Sequence, residues 1–155
     1  MLTLPKILED ILKDLQKIGA TPILVGGCVR DYFFELPIKD YDIEIFGIES
    51  LDLIQKVLEK FGSVKLVGKS FGVLTLRVDN YDFDFALPRV EEKIGNSHQD
   101  FLVTTNSSLS FEEAALRRDF TINAIGYDFS KKEFLDPFNG IKDLEKWVLR
   151  HIKDE

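Results

Sequence analysis

Ile23-Leu24-Val25-Gly26-Gly27-Cys28-Val29-Arg30-Asp31 is the stretch that decides how the chain is read. A short apolar strand follows Pro22 and runs straight into a glycine pair, and a helix-like stretch, 28–35, leaves it. Glycine lets the backbone take positive φ and approach a ligand closely. Free N–H groups where a helix begins favour an anion such as phosphate. Arg30 lies one helical turn in, where a guanidinium can fork onto the same anion. A tight strand–helix turn with a surface arginine is the plainer reading of the segment taken alone.

Outward from this turn, the chain alternates helix and strand signals. Leu4, Ile7, Leu8, Ile11, Leu12, Leu15 and Ile18 have helical spacing, and Gly19 is placed to stop that helix. Leu36-Pro37 breaks the second helix, and Asp42 to Phe46 reads as a strand. Ser50 caps a helix carrying Leu51, Ile54, Leu58 and Phe61, which ends at Gly62. Strands are expected at 63–67, 72–78 and 81–87, the last two joined by a turn at Asp79-Asn80. Residues 89–110 are polar and poorly patterned, so a mobile loop is expected there. Ser110-Phe111-Glu112-Glu113 has capping-box spacing and should start a helix. Residues 125–128 and 133–135 can pair across Ser130-Lys131, and 140–149 reads as a last short helix. This order predicts a mixed sheet with helices packed on it, an α/β or α+β domain.

Composition narrows the function classes. The chain has 155 residues, 45% of them hydrophobic, as expected for one globular domain. Its 20 Lys and Arg against 27 Asp and Glu leave a net charge of −7, which argues against a protein that coats nucleic acid nonspecifically. One cysteine, Cys28, rules out an internal disulfide framework and fits a reducing compartment, so a cytoplasmic location is expected. No apolar run approaches the ~20 residues that span a bilayer, and no membrane association is expected. The N-terminus lacks a signal-peptide pattern.

Three further segments carry chemistry. In Lys39-Asp40-Tyr41-Asp42-Ile43-Glu44-Ile45, positions i and i+2 of a strand share a face, so Asp40 and Asp42 project together. Paired carboxylates repel unless a cation lies between them, and Mg²⁺ takes such oxygen ligands together with waters and phosphates. Two metals bridged by carboxylates are the core of in-line nucleotidyl transfer. An acidic loop edge facing water is the plainer alternative. Tyr81-Asp82-Phe83-Asp84-Phe85 offers a third carboxylate from either Asp82 or Asp84, its alternation also suiting an ordinary exposed strand. Arg117-Arg118-Asp119-Phe120-Thr121-Ile122-Asn123 gathers two phosphate-binding arginines with groups able to take ribose hydroxyls, or else marks a helix C-terminus. Gly68-Lys69-Ser70 is not a phosphate-binding P-loop: Ser63 stands where that motif needs glycine, and a strand follows. Cys28, His98 and His151 lack metal-ligand spacing and read as a packed thiol and two surface imidazoles.

Taken together, these segments resemble the catalytic head of class II tRNA nucleotidyltransferases, the CCA-adding enzymes, and of the related bacterial poly(A) polymerases. The matching blocks are Val25 to Asp31, Lys39 to Asp42, Leu87-Pro88-Arg89-Val90-Glu91-Glu92-Lys93, Arg117 to Ala124 and Asp136-Pro137-Phe138-Asn139-Gly140, in the family's order. The Leu-Pro-Arg stretch looks more like the CCA-adding branch. The resemblance implies a nucleotidyltransferase fold related to DNA polymerase beta, with a mixed five-stranded sheet and flanking helices. It implies that Asp40, Asp42 and Asp84 bind catalytic Mg²⁺. Asp84, three residues before Leu87-Pro88-Arg89, is chosen over Asp82 on that basis. It further implies that Gly26, Gly27 and Arg30 hold a triphosphate, and that Arg118, Asp119 and Asn123 contact the nucleotide's phosphate and ribose.

The implied activity is addition of CCA, or part of it, from CTP and ATP to the tRNA 3′ end with release of pyrophosphate. The family's base-reading segment and its neck, body and tail have no counterpart in these residues. The chain is therefore expected to be a head-domain fragment whose main grip on tRNA lies elsewhere. A poly(A) polymerase head, a noncatalytic nucleotide-binding module of the same fold, and a structural protein with an incidental cation site remain as alternatives.

Overall fold

Helix α1 (Lys6–Lys17) forms because Leu8, Ile11, Leu12 and Leu15 recur on one face, and all four are buried. It closes as the spacing predicts: the Ala20 N–H donates to the Leu15 carbonyl at 3.1 Å and the Gly19 N–H to that of Gln16 at 3.0 Å. The chain then enters β1 (Thr21–Val25) and, through Gly26, α2 (Gly27–Phe33). β2 (Asp40–Phe46), α3 (Leu51–Leu58), β3 (Val64–Val67), β4 (Val73–Val78) and β5 (Tyr81–Ala86) follow. This computed structural model describes residues 2–67, 72–93, 101–105 and 109–152.

β1 to β5 and a later hairpin, β8 (Gly126–Asp128) and β9 (Glu133–Leu135), form one seven-stranded sheet in the order β3-β4-β5-β2-β1-β8-β9. The pairing of β2 with β5 is parallel and the other pairings are antiparallel. A parallel pair needs a crossover, and α3, β3 and β4 supply it.

Strand alternation divides the sheet into two faces. Leu24, Ile43, Ile45, Leu74, Leu76, Phe83 and Phe85 point to the face covered by α1 and α3, where they form the main core with Leu8, Ile11, Leu12, Leu15, Ile54 and Leu58. Ile23, Val25 and Phe46 point the other way and form a small second cluster with Ala114, against which Phe111 packs. Asp40, Asp42 and Glu44 share that second face with Phe46, because all four lie two residues apart on β2. Burying the apolar set of β2 thus fixes where its carboxylates project.

The expected fold class holds, with three corrections. The sheet has seven strands rather than five, because the hairpin read at 125–135 extends it beyond β1. The expected mobile loop at 89–110 instead contains β6 (Arg89–Lys93) and β7 (Phe101–Thr105), paired antiparallel as a separate two-stranded sheet. Phe101-Leu102-Val103 is an apolar run, but its partner Arg89 to Lys93 is mostly charged, so the two strands share no apolar alternation that would reveal the hairpin. The last helix, α5 (Gly140–Glu145), is shorter than the 140–149 expected. Trp147 takes a φ of 56°, and the Val148 N–H reaches back to the Asp143 carbonyl at 2.8 Å, which closes the helix without a glycine.

The capping box of α4 (Phe111–Ala115) is present: Ser110 Oγ accepts the Glu113 N–H and Glu113 Oε1 accepts the Ser110 N–H, each at 3.1 Å. Ser110→Ala should cost about 1 kcal/mol in urea unfolding. An unchanged midpoint would show that packing of Ala114 and Ala115 holds α4 unaided.

Candidate functional site

The parallel register of β2 and β5 sets Asp40 against Asp82, Asp42 against Asp84, and Glu44 against Ala86. Asp84 is therefore the residue facing Asp42 across the ladder. Asp82 instead lies near Arg77, with Nε to Oδ1 at 3.7 Å. Asp84 Oδ1 accepts a hydrogen bond from Thr75 Oγ1 at 2.7 Å, which orients the carboxylate from β4. Asp42 is an exposed residue, yet its carboxyl is raised above the usual range. Burial by the crevice walls is the largest cause, and the Asp84 and Asp40 charges add to it, while Arg118 and Arg117 oppose it. Among the described residues, no group of three or more His, Cys, Asp or Glu side chains converges tightly enough to hold an ion by itself.

The glycine turn lies directly beside these carboxylates. Gly26 begins α2 with φ 73°, a conformation that disfavours a side chain. A Cβ there would sit 3.4 Å from Asp42 Oδ2 and 4.0 Å from Arg118 Nη1. Next to it, Gly27 approaches Arg30, whose Nη2 lies 3.2 Å from where a Cβ would be. Arg30 donates through Nη1 to Asn123 Oδ1 at 3.1 Å and through Nε and Nη2 to Asp31 Oδ1. Asn123 Nδ2 in turn donates to Asp119 Oδ1 at 3.3 Å, which also accepts the Phe120 N–H at 2.7 Å. Burial works to raise the Asp119 carboxyl, but these two donors, together with its own backbone N–H and nearby His151, outweigh it and hold it below the usual carboxylate range.

The expected residues thus fall into two adjoining groups that meet at the glycine pair. Asp40, Asp42, Asp84, Gly26 and Arg118 form one. Gly27, Arg30, Asn123 and Asp119 form the other. A crevice of about 420 Å³ lined by Gly27, Asp31, Asp40 and Asp42 opens beside them.

Two contributors were not singled out from the sequence. Thr75 was legible in principle, because the Asp79-Asn80 turn sets the β4–β5 register that places it opposite Asp84. Glu44 had a fainter signal: a carboxylate two residues beyond Asp42 in the buried part of a central strand. It is 3% exposed and lies between two arginines, with Oε1 at 3.7 Å from Arg118 Nη2 and Oε2 at 4.0 Å from Arg117 Nη2.

Cys28 is a packed thiol, as expected. Its Sγ donates to the Val25 carbonyl at 3.2 Å, and burial pushes the thiol up to about 12, so it stays protonated. His151 is exposed, its ring 4.6 Å from that of Phe120. His98 and Gly68-Lys69-Ser70 lie outside the described residues. Among the described residues, no helix is long and apolar enough to cross a membrane.

The mixed sheet with its flanking helices is a nucleotidyltransferase fold, as solved structures show. The fold matches a CCA-adding enzyme in its apo form II with a TM-score of 0.80 at 26% identity, over 97% of this chain and 36% of that one. It matches the Bacillus stearothermophilus CCA-adding enzyme in complex with CTP with a TM-score of 0.70 at 26% identity, over 96% of this chain and 34% of that one. The chain belongs to the poly A polymerase head domain family, whose model matches residues 23–150. It is similar to the multifunctional CCA protein of Pseudoalteromonas atlantica, 39% identical over 131 residues, or 84% of this chain. The chain spans about 30% of the length of the curated relatives it matches.

Proposed function

We propose that the chain is the catalytic head of a CCA-adding tRNA nucleotidyltransferase, using CTP and ATP to extend a tRNA 3′ end with release of pyrophosphate. The observation that carries this reading is the in-register pair Asp42 and Asp84, set against the Gly26 turn and Arg118. Similarity to CCA-adding enzymes, one of them solved with CTP, supports it.

The donor set fits a hard divalent cation. Asp40, Asp42 and Asp84 offer carboxylate oxygens alone, and the charges of Asp84 and Asp40 make the ionised form of Asp42 costly without a cation. Mg²⁺ is commonly held by one or two carboxylates with substrate phosphates and waters, so a closed cage of protein ligands is not required. When bound, it supplies Lewis-acid stabilisation of charge at the reacting phosphate and favours ionisation of the attacking hydroxyl.

The chain's own residues do the rest by position. The backbone at Gly26 and Gly27 admits a triphosphate close to the carboxylates, which a Cβ at position 26 would obstruct. Arg30 and Arg118 place positive charge on either side of that turn and stabilise the phosphoryl oxygens. Asn123 and Asp119, aligned by their bonds to Arg30 and to the Phe120 N–H, present polar groups for a ribose. Recognition of the base and the main hold on tRNA are assigned to parts of the relatives that this chain does not match.

A calorimetric titration with CTP and with ATP, each with and without Mg²⁺, tests the reading. Metal-dependent binding of both, with little preference between them, is expected. A folded sample that binds neither nucleotide would overturn the assignment of the triphosphate site.

A further inference from the structure

Glu44 is an anomaly that general packing does not explain. Its cross-strand neighbours, Ile23 on β1 and Ala86 on β5, are apolar, and an apolar residue would suit the position. Instead the strand buries a carboxylate to 3% exposure. Burying a charge costs free energy unless it is well paired. The pairing is loose by that standard, at 3.7 Å to Arg118 and 4.0 Å to Arg117, and Oε2 accepts no hydrogen bond among the described residues. A carboxylate held at such a cost is better explained by where it holds its partners than by stability.

The two ends of Arg118 show what that is. Its Nη2 faces Glu44, while its Nη1 lies against Gly26, beside the position of Asp42 Oδ2. The guanidinium thus spans from a buried anchor two residues further along the same sheet face to Asp42. Arg117 approaches the same anchor from its other oxygen, and both arginine side chains are mostly covered, at 15% and 22% exposure. Val25, Asp42, Glu44, Asp84, Arg117 and Arg118 line one crevice of about 180 Å³.

We propose that Glu44 is a positioning residue for the nucleotide site: it holds the Nη2 ends of Arg117 and Arg118 so that the Nη1 end of Arg118 faces Asp42 and an incoming triphosphate. This rests on the nucleotide reading above, because the value of the anchored geometry is the phosphate it meets. Glutamine at position 44 keeps the shape but turns an NH2 group toward one guanidinium and leaves only a neutral carbonyl for the other, so the ionic anchor is lost without opening a cavity.

The test is a double-mutant cycle on binding of Mg²⁺ with CTP, with thermal melts confirming that each variant is folded. Glu44→Gln should weaken binding about tenfold and Glu44→Asp, which keeps the charge, by less than about threefold. The double variant with Arg118→Ala should bind no more weakly than Arg118→Ala alone, since the anchor acts through that arginine. Wild-type affinity in Glu44→Gln, or losses that simply add, would overturn the proposal. A second readout needs no nucleotide: phenylglyoxal modification of Arg117 and Arg118, followed by mass spectrometry. At least one of them should react several-fold faster in Glu44→Gln than in the wild type, and equal rates for both would overturn the anchoring claim. If the wild-type chain does not bind CTP, the nucleotide reading fails by itself, and the modification rates still decide whether Glu44 anchors the arginines. If Glu44→Gln does not fold, Glu44→Asp is read by the same two measurements, with smaller shifts of the same sign expected and none overturning the proposal.

Discussion

Asp42→Asn is expected to reduce nucleotidyl transfer by about 10³-fold or more, while leaving the metal-free protein slightly more stable. The loss follows from its place: Asp42 faces Asp84 across the ladder and lies against Gly26 and Arg118. Asparagine matches its volume but removes the charge. The gain in stability follows from the raised carboxyl. A carboxylate whose folded pKa exceeds its unfolded value holds its proton more tightly when folded. Its ionisation therefore penalises folding as pH rises through the interval between the two values, and the penalty is complete above it. Asparagine removes that penalty at neutral pH and gains nothing in acid below the unfolded value. Because the side chain remains open to solvent, the effect is screened, and a rise in Tm on the order of 1–2 °C is expected in chelator at pH 7, vanishing below about pH 4. Transfer at the wild-type rate would sink the functional assignment, and a fall in Tm would show that the two arginines gain more from Asp42 than its acidic neighbours cost.

Gly140→Ala is expected to be the most damaging small change to stability, at about 3 kcal/mol or a Tm lowered by roughly 6–12 °C. A Cβ at Gly140 would overlap the backbone carbonyl of Thr121 and approach Ile125 Cγ1 to 2.9 Å. Neither is the yielding end of a flexible side chain. Asp136 holds the same junction from the other side: its Oδ1 accepts the Gly140 N–H at 2.6 Å and its Oδ2 the Ile141 N–H at 3.1 Å, so the start of α5 has little room to slide. Residues 121–123 form a 3-10 turn that carries Asn123, the partner of Arg30. The damage should therefore extend to the nucleotide site, with CTP binding weakened even below the melting temperature. Chemical denaturation measures the first effect, and a loss under about 1 kcal/mol would mean that α5 re-docks without cost.

Much of this was legible in the chain. The i, i+2 spacing of Asp40 and Asp42 placed both carboxylates on one face of their strand, and in the structure that face lies opposite Tyr41, Ile43 and Ile45 of the main core. Ser50 and Ser110 both cap the helices they precede. Asp79 and Asn80 take the positive φ values of a tight hairpin turn, at 51° and 73°. Other features depend on partners distant in sequence. Choosing Asp84 over Asp82 needed the family resemblance, because alternation puts both on one face and only the register with β2 separates them. β6 and β7 escaped because their pairing leaves no apolar period. Trp147 ended α5 in a conformation usually left to glycine, which no residue preference would announce. Glu44 escaped because a charged letter within a strand looks solvent-facing until the arginines that cover it are in place.

The parallel pairing of β2 and β5 has a consequence for how this molecule tolerates insertions and deletions. The spacing of Asp42 and Asp84 is set by a hydrogen-bond ladder, not by the length of the intervening chain. A ladder shifts only in whole residues, and a shift of one turns every side chain of a strand to the opposite face. Here it would drive Asp82 and Asp84 toward the main core and Phe83 and Phe85 out of it. The carboxylate separation is thus quantised. Segments joining α3, β3 and β4 can lengthen or shorten without gradually detuning it, because intermediate spacings do not exist and the nearest alternative does not fold.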